Sequence, residues 1–156
     1  MIFLHYPPYL ETVWAPFHKK GAPDLYPEPL RSDIDKLNEI IHRDINKGVY
    51  KCSSAESQEE YKTAYHALFA RLDELEQRLS SQRYLFGDSI TDSDVRLYVT
   101  LARFDLVYYT KHKANRNRLI DFPNLWGYAR DLYQTPGFGD TTDFEAIIKN
   151  RDASGT

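Results

Sequence analysis

Apolar residues along this chain recur three and four positions apart, and the recurrence defines four amphipathic runs. Leu30, Ile34, Leu37, Ile41 and Ile45 form the first stripe. Pro27 and Pro29 sit where its first turn would begin, and Asn46-Lys47-Gly48 predicts its stop. Ser57-Gln58-Glu59-Glu60 is a capping box that opens a long second helix, striped by Tyr61, Tyr65, Leu68, Leu72, Leu75 and Leu79. A third helix start is marked three times over: Thr91 as N-cap, Asp94 three residues in, and Ile90 with Val95 at hydrophobic-staple spacing. Asp92 and Asp94 also suit the positive end of that helix's dipole. The stripe runs on through Tyr98, Leu101, Ala102, Asp105 and Leu106. A fourth helix follows Phe122-Pro123-Asn124, carries Leu125, Trp126, Ala129, Leu132 and Tyr133, and ends at Pro136-Gly137. No stretch alternates for long enough to form a useful strand, so the pattern predicts an all-α helix bundle.

The first 29 residues break the pattern. Pro7, Pro8, Pro16, Pro23, Pro27 and Pro29 oppose a continuous helix, yet Tyr6, Tyr9, Trp14 and Phe17 are not residues of a disordered segment. An extended arm docked against an apolar surface is expected. Twelve tyrosines lead an aromatic content of 14 %, and buried tyrosines need a polar partner for the hydroxyl. A wet aromatic pocket or a broad interface follows. The 156 residues make one domain, and folding at this length buries about 70 % of the unfolded chain's surface, enough for a core without staples.

One cysteine, Cys52, excludes an internal disulfide framework and Cys-rich zinc sites, and no histidine pair has metal-ligand spacing. No metal is expected. A net charge of −3 with dispersed basic residues excludes a nucleic-acid footprint. The compact run Lys111-His112-Lys113, with Arg116 and Arg118, reads as a solvated loop. Met1-Ile2-Phe3-Leu4 is too short for a signal-peptide core, and no run is long enough to span a membrane. A cytoplasmic protein is expected.

Gly87-x-x-x-Thr91-x-x-Asp94 resembles the signature of the helical C-terminal domain of cytosolic glutathione transferases. Longer stretches are similar to the Xi class, the glutathionyl-hydroquinone reductases. They are Asp24-Leu25-Tyr26-Pro27-Glu28, Asn46-Lys47-Gly48-Val49-Tyr50-Lys51, Arg83-Tyr84-Leu85-Phe86-Gly87-Asp88, Arg103-Phe104-Asp105-Leu106-Val107-Tyr108 and Phe122-Pro123-Asn124-Leu125-Trp126 with Asp131-Leu132-Tyr133-Gln134-Thr135-Pro136-Gly137. The resemblance covers residues 24–149, which divides the chain into an aromatic, Pro-rich arm over 1–23, the helical domain over 24–149 and a flexible tail over 150–156. It implies a homodimer joined through the helical domain. In that class glutathione and the catalytic cysteine belong to a preceding thioredoxin-like domain. Neither a βαβ pattern nor a Cys-Pro-Trp motif occurs here, so no glutathione cofactor is expected.

The resemblance also places Tyr50 at the tyrosine that lines the hydroquinone site; alternatively, Tyr50 packs after a helix stop as an ordinary half-buried residue. Tyr108, Tyr109 and His112 fall where the parent fold borders its cleft, with His112 placed for general acid–base work or else an exposed histidine between two lysines. The catalytic candidates are therefore Tyr50, Tyr108 and His112, and the substrate-binding candidates Tyr50, Arg103, Tyr108 and Tyr109. Arg103 and Asp105 are also read as an ion pair across helices. Cys52 as a nucleophile would need a cationic neighbour or a helix N-terminus to lower its pKa. Two classes of function fit. One binds a phenolic or quinone-like small molecule and isomerises, cyclises or dehydrates it without glutathione. The other is a non-catalytic binding or dimerisation module. Pairing with a separate thioredoxin-like subunit conflicts with the arm, which occupies the linker's place.

Overall fold

The computed structural model describes residues 6–153; residues 1–5 and 154–156, with His5 among them, lie outside the described residues. Seven α-helices succeed one another: α1 (Tyr6–Thr12), α2 (Arg31–Ile40), α3 (Gly48–Ser54), α4 (Gln58–Arg78), α5 (Asp92–Leu101), α6 (Pro123–Gln134) and α7 (Phe144–Ala153). Among the described residues there is no strand, only one isolated bridge between Tyr84 and Gly87. The all-α expectation holds. The helix α3 lies along α4, α6 against both α4 and α5, and α7 against the segment that follows α5. Their stripes meet in one core whose fully buried members include Ile34, Ile45, Leu72, Leu97, Phe104, Leu125 and Leu132.

Two of the expected helices are interrupted. The first is α-helical only to Ile40 and then widens into a π-helical turn over Ile41–Asn46, where the Lys47 amide reaches the His42 carbonyl. Asn46-Lys47-Gly48 does not stop the chain, which re-enters a helix at Gly48. The third ends at Leu101 and continues as a π-helical turn over Phe104–Tyr108, with the Tyr109 amide on the Phe104 carbonyl. Each widened turn inserts one residue and so rotates everything after it by about 100°. The stripes drawn through these points from a strict helical period therefore aim the later residues wrongly.

The start of α5 is built as its residues demand. One Asp94 carboxylate oxygen accepts from the Thr91 amide at 2.7 Å and the Thr91 hydroxyl at 2.8 Å; the other accepts from the Leu85 amide at 3.0 Å and the Tyr128 hydroxyl at 2.8 Å. A wholly buried carboxylate thus ties α5 to the preceding turn and to α6. That turn closes through reciprocal Tyr84–Gly87 backbone bonds, with Gly87 at φ +98°, a conformation that favours glycine. Beside it, Asp92 accepts from Asn38 of α2 at 2.8 Å and from Arg96 at 2.7 Å, and Ser93 donates to Asn38 at 2.7 Å. The α4 side chain Glu76 accepts from the Asn124 and Leu125 amides, placing a carboxylate on the N-terminus of α6.

The arm is not extended. Its helix α1 is followed by a 3₁₀ turn over Ala15–Phe17; Trp14 and Phe17 touch each other at 5.6 Å between ring centres and remain 55 % and 78 % exposed. The final helix runs through Ala153, past residue 149.

Candidate functional site

A cleft of about 1490 Å³ opens along one side of α5. Val95, Tyr98, Val99, Arg103, Val107 and Tyr108, from α5 and its π-helical continuation, form one wall. The 83–90 turn, the loop after α6, the inner face of α7 and the residues 23–25 complete it, and Tyr50 and His112 stand at one end.

At that end three of the predicted residues meet. The Tyr50 and Tyr108 hydroxyls are 3.1 Å apart, and the two rings and the His112 imidazole stack edge to face with centres 5.0 to 5.5 Å apart. Tyr50 comes from the first turn of α3, Tyr108 from the last residue of the second π-helical turn, and His112 from the loop beyond it. Both widened turns thus orient the pair. Tyr50 is half exposed at 52 %, whereas Tyr108 is buried. One O–H is used within the pair, leaving one for a ligand. Burial, chiefly, and the Tyr50 hydroxyl hold the Tyr108 phenol well above its ordinary range, with the Arg103 charge working in the opposite direction. Tyr108 therefore stays protonated and acts as a hydrogen-bond donor, not as a base.

The residue that sequence reasoning missed is Ser53. Its hydroxyl lies 2.6 Å from His112 Nδ1 and 2.9 Å from the Tyr50 carbonyl, one turn back on α3. A carbonyl only accepts and a hydroxyl has one proton, so a single arrangement satisfies both contacts: Nδ1–H donates to Ser53, and Ser53 donates to Tyr50. This leaves Nε2 of His112 with its lone pair. Burial, and secondarily the charge of Lys111, lower the His112 pKa below its ordinary 6.5, so the ring is neutral at pH 7. No sequence signal pointed to Ser53, because the chain around it was expected to have left the helix.

The remaining candidates separate. Arg103 lines the cleft and donates through Nη1 to the Val99 carbonyl at 2.7 Å. The expected Arg103–Asp105 ion pair does not form, since Asp105 faces the other way and accepts from the Leu119 amide at 2.5 Å. Tyr109 does not line the cleft; it follows Tyr108 by one residue and lies on the side of Tyr65. Cys52 is 3 % exposed, and burial pushes its thiol up to about 11, so it is neither a nucleophile nor a redox thiol at neutral pH. The basic run is not merely solvated: Lys111 donates to the Arg151 carbonyl, and Arg116 pairs with Asp73 and lies over the Phe69 and Phe122 rings. Among the described residues no group of three or more His, Cys, Asp or Glu side chains could hold a metal, and no helix is long and apolar enough to cross a membrane.

Helix order, the capped start of α5 and the cleft beside it define a glutathione-transferase helical domain, and comparison with known proteins gives the same result. The glutathione S-transferase C-terminal domain family matches residues 58–131. The chain is 46 % identical over 126 residues to the glutathionyl-hydroquinone reductase YqjG of Escherichia coli K12, an alignment that covers 81 % of this chain and 38 % of that protein. A glutathione transferase from Gordonia bronchialis superposes with a TM-score of 0.87 at 55 % identity, covering 92 % of this chain and 44 % of that one. The Xi glutathione transferase of Phanerochaete chrysosporium does so at 0.84 and 41 %, covering 90 % and 46 %. The chain is a glutathione-transferase C-terminal-like helix bundle, and its similarity is to the Xi class. It spans less than half the length of these relatives.

Proposed function

We propose that the cleft binds a phenolic or quinone-like small molecule, its oxygen against the Tyr50–Tyr108 pair, and acts on it by acid–base chemistry that needs no glutathione. Isomerisation, cyclisation and dehydration are the reactions such groups serve, with the free O–H of the tyrosine pair donating a hydrogen bond to a developing phenolate or enolate and Nε2 of His112 taking the proton. The observation that carries this reading is the convergence of Tyr50, Tyr108 and His112 at one end of an aromatic-walled cleft. The only thiol of the chain is buried and protonated, so its own residues offer proton transfer and no thiol redox step. The name of the Escherichia coli relative, a glutathionyl-hydroquinone reductase, supports the ligand class.

Two measurements test the reading. Hydroquinone should bind in calorimetry, and Tyr50→Phe should weaken it about fivefold, the value of one hydrogen bond. In D₂O the protein should accelerate deuterium exchange at the ring carbons of 1,3-dihydroxybenzene, His112→Gln should abolish the acceleration, and added glutathione should leave it unchanged. Absence of hydroquinone binding at millimolar concentration overturns the ligand class, and exchange that appears only with glutathione overturns the cofactor-free chemistry.

The exposed arm favours a second reading, a non-catalytic homodimeric module. Tyr9, Trp14 and Phe17 present aromatic faces with no cover from the described residues, the kind of surface a second copy would bury. Light scattering that gives a dimer for the wild type and a monomer for Trp14→Ser/Phe17→Ser, with hydroquinone binding but no exchange activity, would establish the module in place of the enzyme.

A further inference from the structure

Three arginines line the cleft, and their partners differ. Arg83 is held by Asp131 in a two-point pair at 2.8 and 2.9 Å, and Arg151 by Asp152 at 2.7 Å. Arg103 lines the cleft with no carboxylate partner among the described residues, and its guanidinium is anchored by one hydrogen bond, from Nη1 to the Val99 carbonyl. Elsewhere Arg43, Arg71, Arg96, Arg116 and Arg118 are matched to carboxylates, and Arg31, Arg78 and Arg130, which pair with none among the described residues, lie outside the cleft. In a chain with more acidic than basic side chains, an anchored arginine left unmatched inside a cleft is a binding group for an anion brought by the ligand. Arg103 is the residue that leads into the π-helical turn Phe104–Tyr108, and both it and Tyr108 line the cleft. The anion-binding group and the phenol-binding pair therefore serve one molecule.

We infer that the ligand is a hydroxyaromatic carboxylate, its hydroxyl on the Tyr50–Tyr108 pair and its carboxylate on Arg103. The inference rests on the phenolic reading of the cleft and narrows it from neutral hydroquinones to their ring-carboxylated relatives. Tyrosine and arginine divide the recognition: the tyrosines read the ring oxygen, and Arg103 separates an acid from its ester.

The test uses the full chain and three probes that share one ring: hydroquinone, 2,5-dihydroxybenzoate and methyl 2,5-dihydroxybenzoate. The carboxylate should bind about tenfold more tightly than its methyl ester, as a charge-assisted contact gives. Raising salt from 0.05 to 0.5 M should erode that advantage, since a partly exposed ion contact is screened, and leave the ester's affinity in place. Arg103→Met should bring acid and ester within about twofold of each other, while Arg103→Lys, which keeps the charge, should retain part of the preference. Hydroquinone binding with acid and ester equal in the wild type overturns the anion assignment and leaves the phenolic reading standing. Failure of all three probes overturns both. A salt-independent preference for the acid places its carboxylate on something other than Arg103, and so overturns the assignment even where Arg103→Met does not fold.

Discussion

Ser53 and His112 carry the sharpest expectation at the scale of single residues. A free imidazole favours the tautomer with its proton on Nε2, whereas the two contacts of the Ser53 hydroxyl require it on Nδ1. Nitrogen-15 correlation spectra should show His112 as the Nδ1–H form at pH 8, and Ser53→Ala should return it to the Nε2–H form with little change in stability. An Nε2–H ring in the wild type would remove His112 as a cleft-facing base. Cys52 gives the second expectation. With its thiol buried and its pKa raised to about 11, it should resist an aromatic disulfide reagent in the native protein and react completely once urea unfolds the chain. The sequence pointed to Tyr50, Tyr108 and His112 through a resemblance and a position, and the fold brings them together. Arg103 was legible as a cleft residue but wrongly paired with Asp105. The resemblance places Tyr109 beside the cleft with Tyr108, but adjacent residues on a helix point about 100° apart, and only Tyr108 lines it. Ser53 was invisible, because its value lies in a contact across 59 residues with His112.

Among the elements, α5 shows what sequence can and cannot specify. Its start was readable because cap, box and staple are local, each set by residues within five positions of one another. Its end was not. Nothing in Arg103-Phe104-Asp105-Leu106-Val107-Tyr108 marks a π-helical turn, since the widened turn is held by tertiary contacts that seat Phe104 and Tyr108 in the core and set α7 against the segment. The same holds for Ile41–Asn46, where Asn46 reaches over to the Arg96 carbonyl and the Thr100 hydroxyl of α5. The capping residues rank clearly. Thr91→Ala removes one hydroxyl and should cost about 1 kcal/mol. Asp94→Ala strips four donors of their shared acceptor in a sealed site and should cost about 4 kcal/mol. Urea unfolding of the two variants checks the order; equal costs would mean that Asp94 is a local cap and not the joint between α5, α6 and the 83–90 turn.

For the molecule as a whole, the titrating groups define a window of pH in which the fold is most stable. Burial lowers the pKa of both His42 and His112 beneath their ordinary 6.5, so the unfolded chain binds these protons more readily than the folded one. Their contribution is complete above pH 6.5 and is lost as pH falls from there through the folded values. At the other end burial raises Tyr26 to about 12 and pushes Tyr108 and Tyr128 above their ordinary 10. A raised phenol contributes fully below pH 10, and its share is lost as pH climbs through the folded value. The lowered carboxylates Asp44 and Asp131, held by Arg43 and Arg83, add a further loss only as pH falls below their ordinary 3.8. The buried Cys52 thiol, raised from 9.0 to about 11, begins to lose its share above pH 9, so stability against urea should hold a plateau from about pH 6.5 to 9, with an initial acid shoulder set by histidines and a steeper fall set by carboxylates. His42→Gln/His112→Gln should flatten the shoulder and leave the alkaline limb where it is. A shoulder that survives the double substitution would assign it to other groups, and would mean that the His112 ring is not held neutral by the fold.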